Sequence, residues 1–425
     1  MRKETKTIWF FLIGFLLSYC FIPSLWALTL DETIALAKKN YPPLKEQKYL
    51  KSSKQFSYKA SFDPYFPTIS SNFSFQRTFE SSLNSIGRLW DNQYVLDLSI
   101  NYRLFDAGYR RSQKEQALFS FKQAQADIKT VENELAFTVK KAFYNVLAKE
   151  KILQIRQEAE QIAKKNYELA LARRKAGVAM LSDVTQAQVR YTNARMQTVA
   201  AKKDLEKATA ELNSLIGWPL DKKTKLNGTL RSNWIDVSFP MLKDLALKRR
   251  PEIERQVLEN KKIEESIKGY KSAYFPKLDT RLNYSRYDNE INLTERETVF
   301  LVSLSYDIFN GLGRYYKVSA QKKVLKATQA RLAELKRQIC LEVYQAYKDL
   351  QLAFSNLQIA SELVKEAKIN YEQAYGEYKV GKGDILSLIQ AEANWAESKT
   401  VLTQEILNYN IAISALEKAV FANLF

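Results

Sequence analysis

Not one histidine occurs in this 425-residue sequence, so the side chains that most often carry catalysis are already thinned. Serine–histidine and cysteine–histidine nucleophile pairs, imidazole bases and most zinc, copper and haem sites are excluded. Of the two cysteines, Cys20 lies in an N-terminal apolar stretch and Cys340 in a helical pattern. A chain that loses its first segment therefore has no disulfide, and Cys340 reads as a small buried hydrophobe. Acidic residues are plentiful, but on the helical segments their spacing reads as surface pairing with Lys and Arg. There is no glycine-rich phosphate loop. No catalytic residue, metal or cofactor is implied, and an enzyme, such as a hydrolase working through two carboxylates, is disfavoured. Two short clusters keep some chemical character. One runs from Arg173, Arg174 and Lys175 through Gly177 to Ser182 and Asp183; the other runs from Tyr378 and Lys379 through Gly381, Lys382 and Asp384 to Ser387. Each glycine allows the left-handed backbone that ends a helix. Asp183 with Gln186, and Ser387 with Gln390, have the spacing of a capping box that starts the next helix.

The elements that position these clusters are long. Only 12 glycines and 9 prolines punctuate the chain, which implies few breaks. Residues 1–27 read as a secretory signal, with Arg2, Lys3 and Lys6 before the apolar run from Ile8 to Ile22 and Ala27 at the cleavage end. That run is shorter than a membrane-spanning helix. A lipid anchor on Cys20 is the alternative, though Tyr19 is bulky for the position before such a cysteine. The net charge of +18 reads as solvated helix faces rather than a nucleic-acid surface, because the positives alternate with acids and the chain is exported.

An internal repeat organises the rest, with a first copy at 28–218, a linker at 219–240 and a second copy at 241–425. Tyr65-Phe66-Pro67 recurs as Tyr274-Phe275-Pro276, and Pro42 as Pro251. Leu104-Phe105-Asp106-Ala107-Gly108 is answered by Ile308-Phe309-Asn310-Gly311-Leu312, and Gly177 by Gly381. Each copy is expected to open with one helix (31–62 and 241–273), continue through two strands, and end in a very long helix, a glycine turn and a returning helix. Residues 107–174 contain no proline, and as a helix they would span about 100 Å. Apolar residues recur there at Ile128, Val131, Leu135, Val139, Ala142 and Val146, the narrow seam of coiled-coil packing.

Four segments alternate instead with period two. Ile69, Phe73, Phe75 and Phe79 stand against Ser70, Asn72, Ser74 and Gln76; Tyr94, Leu96, Leu98, Ile100 and Tyr102 stand against Asp97, Ser99, Asn101 and Arg103. Residues 278–285 and 300–308 repeat the pattern. Each is about the length of a tilted transmembrane strand, and tyrosines near the ends suit an aromatic girdle. Four strands cannot close a barrel, and open edges do not survive in lipid. A trimer, with twelve strands beneath a second barrel of helices, is the simplest closed solution. The fold class is thus long coiled-coil helical hairpins carrying four membrane strands per chain.

On these residues the chain resembles the TolC family of outer-membrane efflux proteins over nearly its whole mature length. The ordered set carries the resemblance: the duplicated strand pair, the Phe105-Asp106-Ala107-Gly108 and Phe309-Asn310-Gly311 junctions, and the two hairpin tips. It implies an exit duct in the outer membrane that reaches into the periplasm and passively conducts substrates of an efflux or type I secretion system. The implied partners are two further copies, outer-membrane lipid, a periplasmic adaptor and an inner-membrane pump, with no nucleic acid. The resemblance also makes Ser182, Asp183 and Tyr378 a periplasmic latch, the tyrosine reaching the acid across the hairpins. Arg173, Arg174, Gly177, Lys379, Gly381, Lys382, Asp384 and Ser387 become tip residues facing an adaptor. The sequence departs from TolC itself where the inter-hairpin arginine falls on Gly383 and the two inward aspartates fall on Ser387 and Gln390, so that acidic constriction is not carried over. The competing reading is an exported coiled-coil scaffold or adhesin without a pore, which leaves the alternating strands unexplained.

Overall fold

The computed structural model describes residues 27–80, 89–234 and 236–423. The export signal, apart from Ala27, and the Cys20 anchor lie outside the described residues. The first half runs α1 (Leu30–Asn40), α2 (Pro42–Ala60), β1 (Thr68–Glu80), β2 (Leu89–Phe105), α3 (Tyr109–Lys175) and α4 (Leu181–Ile216). The second repeats that order as α5 (Phe239–Arg249), α6 (Pro251–Lys271), β3 (Lys277–Asp288), β4 (Glu295–Ser305), α7 (Gly313–Lys379) and α8 (Ile385–Val420). The long helices have 67 residues in both halves and the returning helices 36. One expectation is corrected. Each half opens with two helices, because Tyr41 and Arg250 are extended (ψ 117° and 121°) ahead of Pro42 and Pro251, whose rings exclude the helical conformation from the preceding residue.

The chain forms two compact units, and neither is a sequence half. One holds the residues up to Lys39, Val139–Ser232 and Leu357–Asn410; the other holds Asn40–Thr138, Asn233–Asn356 and the segment from Ile411. The second unit contains an antiparallel sheet of order β1-β2-β3-β4, in which the two halves join where β2 pairs with β3. Its two faces differ. On one, polar side chains bond across the strands: Arg103 Nε donates to Asp279 at 2.8 Å, Arg281 Nε to Asn101 Oδ1 at 2.7 Å, Ser285 to Asp97 at 2.6 Å, and Ser70 meets Ser99 at 2.8 Å. On the other, nothing among the described residues covers the apolar side chains. Ile69, Phe300 and Leu304 are 66%, 70% and 69% exposed.

Where strand passes into helix, both halves use the same arginine device. Asp106 caps α3 by accepting from the Gly108 and Arg110 backbones, and Arg110 donates back to Asp106 and to the Pro64 carbonyl while lying over Tyr65. Arg314 repeats this on Asn310, the Ala273 carbonyl and Tyr274. Close helix approach in this unit needs Gly269, where a Cβ would stand 2.6 Å from Ser112 Oγ.

The first unit is built on helix seams. Val139, Phe143 and Val146 of α3 are buried there; earlier on the same helix, in the second unit, Leu135 is buried while Ile128 and Val131 are only half-buried. In α4 the buried positions Ala187, Ala194, Ala201 and Ala208 recur every seven residues, a coiled-coil repeat whose small side chains let helices approach closely. Asn213, fully buried, holds the turn after α4 by donating to the Lys222 carbonyl and accepting from Thr224.

Candidate functional site

Both hairpin tips lie in the first unit. At the first, α3 ends on Gly177, whose φ of +78° is left-handed, and the Gly177 and Val178 amides donate to the Arg174 and Arg173 carbonyls, satisfying the helix end. At the second, Gly381 (φ +84°) ends α7, with the Lys382 amide on the Glu377 carbonyl. The returning helices start one turn earlier than the capping pattern suggested. Asp183 is the third residue of α4 and accepts from the Met180 amide at 3.2 Å. Asp384 is the cap of α8, accepting from the Ser387 amide (3.0 Å) and hydroxyl (2.6 Å). The Ser387 contacts hold the Asp384 carboxyl below its ordinary range. Gln390 takes no part and donates to Asn394.

Beneath the turns, Ala170, Val184, Ala187, Tyr378, Ile385 and Leu388 form one buried cluster. Tyr378 is 2% exposed, yet among the described residues its hydroxyl has no hydrogen-bond partner, so Tyr378 and Asp183, expected to bond, are not bonded here. Burial raises the Tyr378 phenol, against the nearby Arg173 charge and with that of Asp183. Arg173 is the residue that meets Tyr378. Its guanidinium lies over the ring, 4.5 Å from the centroid, and its Nη1 donates to the Tyr378 carbonyl. Arg174, Gly177, Lys379, Gly381, Lys382, Ser182 and Ser387 are exposed around the turns.

Two turns into the bundle lies a site that the reading of acidic residues as surface pairs overlooked. Glu392 of α8 is 1% exposed. It accepts from Asn166 of α3 (2.8 Å) and from Arg190 of α4 (3.2 Å from Nε, 3.1 Å from Nη2). Burial pushes the Glu392 carboxyl up, opposed first by Arg190 and then by Asn166. Beside it, Tyr371 stacks on Trp395 (5.0 Å, 16°), and its phenol is pushed up to about 12 by burial and by the Glu392 charge. The spacing could have revealed Glu392, since it follows Ile385 and Leu388 at seven and four residues on the buried stripe of α8.

Among the described residues no group of acids or cysteines is placed to hold a metal ion, and no helix is long and apolar enough to cross a membrane. The sequence profile of the outer membrane efflux protein family matches residues 33–218 and 242–420, one match on each half, and the chain belongs to that family. It is therefore an outer-membrane efflux channel protein, with a family and fold of channels rather than of enzymes. Protein CyaE of Bordetella pertussis is 22% identical over 383 residues, covering 88% of this chain and 79% of CyaE. A probable efflux pump outer membrane protein, TtgC of Pseudomonas putida, is also 22% identical, over 75% of this chain and 66% of its own. The crystal structure of CusC, described in terms of folding and transmembrane channel formation, superposes with a TM-score of 0.82 over 93% of this chain and 92% of CusC, at 15% identity.

Proposed function

We propose that three copies of this chain form a passive duct through the outer membrane, the exit of an efflux or secretion assembly whose energy comes from an inner-membrane pump. The observation that carries this reading is the sheet, with one bare apolar face, one hydrogen-bonded polar face and two outer strands, β1 and β4, whose outer edges pair with no strand among the described residues. Lipid on the bare face, water on the polar face and a neighbouring copy on each edge answer all three features. The helices leave similar unanswered surfaces. Val189, Met196 and Val199 of α4 and Ile359, Leu363 and Ile369 of α7 are exposed, and they suit packing against neighbouring copies.

In this reading the hairpin tips close the periplasmic end. Ser182, Asp183 and Tyr378 belong to the closing contacts, and the exposed Arg174, Lys379 and Lys382 face a periplasmic adaptor. The test is the mass of the processed protein extracted from membranes in mild detergent, followed by conductance in a planar bilayer. Three chains per particle that conduct ions are expected. A monomer would sink the duct, since one four-stranded sheet cannot close on itself.

A further inference from the structure

We propose that the residue fastening the second hairpin to the first in this chain is Arg173, acting on the carbonyl and ring face of Tyr378, with the Tyr378 hydroxyl taking no part. The proposal rests on the reading of the tips as the closed end of the duct, and three features of the turns converge on it.

The first is the pair of contacts made by one guanidinium. It stacks over the Tyr378 ring at 4.5 Å and donates to the Tyr378 carbonyl. That carbonyl lies in the last turn of α7, where it already accepts from the Gly381 amide at 3.1 Å, so the guanidinium adds a second donor at a helix end that carries partial negative charge. A planar, permanently charged fork can serve ring and carbonyl together; an ammonium cannot.

The second is the space above the turn. Gly381 has no side chain, and a Cβ there would lie 3.6 Å from Arg173 Nη2. That is ordinary contact distance, so the arginine arriving from the other hairpin passes directly over this turn.

The third is Gly383, where a Cβ would stand 3.0 Å from the Tyr378 amide nitrogen and 3.1 Å from the Glu377 side chain. A side chain at that position, where a TolC-like latch places an arginine, would crowd the backbone of the last turn of α7. The cation comes instead from α3, across the gap between the hairpins, and the buried Tyr378 hydroxyl is left with nothing to hold.

The experiment uses the full-length protein in planar bilayers, with trimer mass checked in detergent for every variant. Arg173→Gln is expected to raise the open probability about tenfold, the factor that follows from losing roughly 1.4 kcal/mol of closed-state contact. Arg173→Lys, which keeps the charge but not the fork, is expected to give an intermediate rise. Tyr378→Leu removes the ring and should open the channel as Arg173→Gln does, while Tyr378→Phe should match the wild type. Opening by Tyr378→Phe with Arg173→Gln still closed would overturn the assignment in favour of a hydroxyl latch. Trimers that conduct but ignore every change at Arg173 would overturn this proposal alone. Protein that never forms conducting trimers would remove the duct reading and this proposal with it.

Discussion

Of the ties that join the hairpins within the first unit, two nearest the turns are built on opposite terms. At the turns, one half-buried arginine reaches a carbonyl and a ring, surrounded by exposed lysines and glycines. Two turns inward, the Glu392 carboxylate takes N–H donors from Asn166 and Arg190 and is shut away from solvent. The outer tie can separate and let water satisfy both partners. The inner one cannot, because a broken buried pair leaves a charge without solvent. The hairpins thus have a releasable end and a fixed point close behind it, which is the arrangement a gate requires if the tips are to part while the bundle keeps its register.

The largest expected effect comes from breaking the fixed point. Arg190→Ala leaves the buried Glu392 with the Asn166 donor but without its countercharge, and the cost is expected near 3 kcal/mol, the low end for a broken buried pair because the carboxyl can take up a proton. Denaturant unfolding of the full chain in detergent measures it. Replacing both partners, Arg190→Leu with Glu392→Leu, should recover most of the loss. If the double variant is as unstable as the single one, the charges are not a pair and the contrast between the two ties fails.

A smaller effect tests the releasable end. Asp384 caps α8 at the second turn, and Asp384→Ala should cost about 1 kcal/mol through the lost cap. Because the cap lies beside the outer tie and two turns before Glu392, the loss is expected as local fraying, faster amide exchange over the first turn of α8 with unchanged exchange around Glu392. Equal acceleration at both places would mean that the tip and the inner tie open as one piece.

Much of this architecture is legible in the residues, for reasons that differ by element. The strands and long helices are stated by their own periods, two against three-and-four, and the repeat is stated by Pro42 with Pro251 and Gly177 with Gly381. The split of each opening helix was also written in those prolines, since a proline restricts the residue before it. The contacts at the tips are less accessible. Arg173, Arg174 and Lys175 look alike in sequence, and only the course of α3 past Tyr378 separates the one that turns inward. The starts of α4 and α8 were misplaced by a turn because Asp183 and Ser387 fit either a cap or the position three residues after one. Glu392 was visible as a charge on an apolar stripe, but its partners come from two other helices and no local spacing names them.

The smallest effect decides which force governs the fixed point. Burial lifts the folded-state pKa of Glu392 above its ordinary 4.5, while Arg190 pulls it down. A raised folded value means that the folded chain holds this proton more tightly than the unfolded chain. The stabilisation is then complete below the unfolded value and is lost as pH rises through the folded one. Glu392→Gln, which cannot titrate, supplies the reference. The stability of the wild type relative to this variant should therefore fall as pH is raised from about 4.5 toward neutrality, read by denaturant unfolding at each pH. Carboxylates held below their ordinary range, such as Glu259 beside Gln123 and Lys262, change both proteins alike and cancel in the difference. A difference that instead grows with pH would show Arg190 outweighing burial, and the inner tie would then be an ion pair that acid loosens rather than a protonated carboxyl that acid secures.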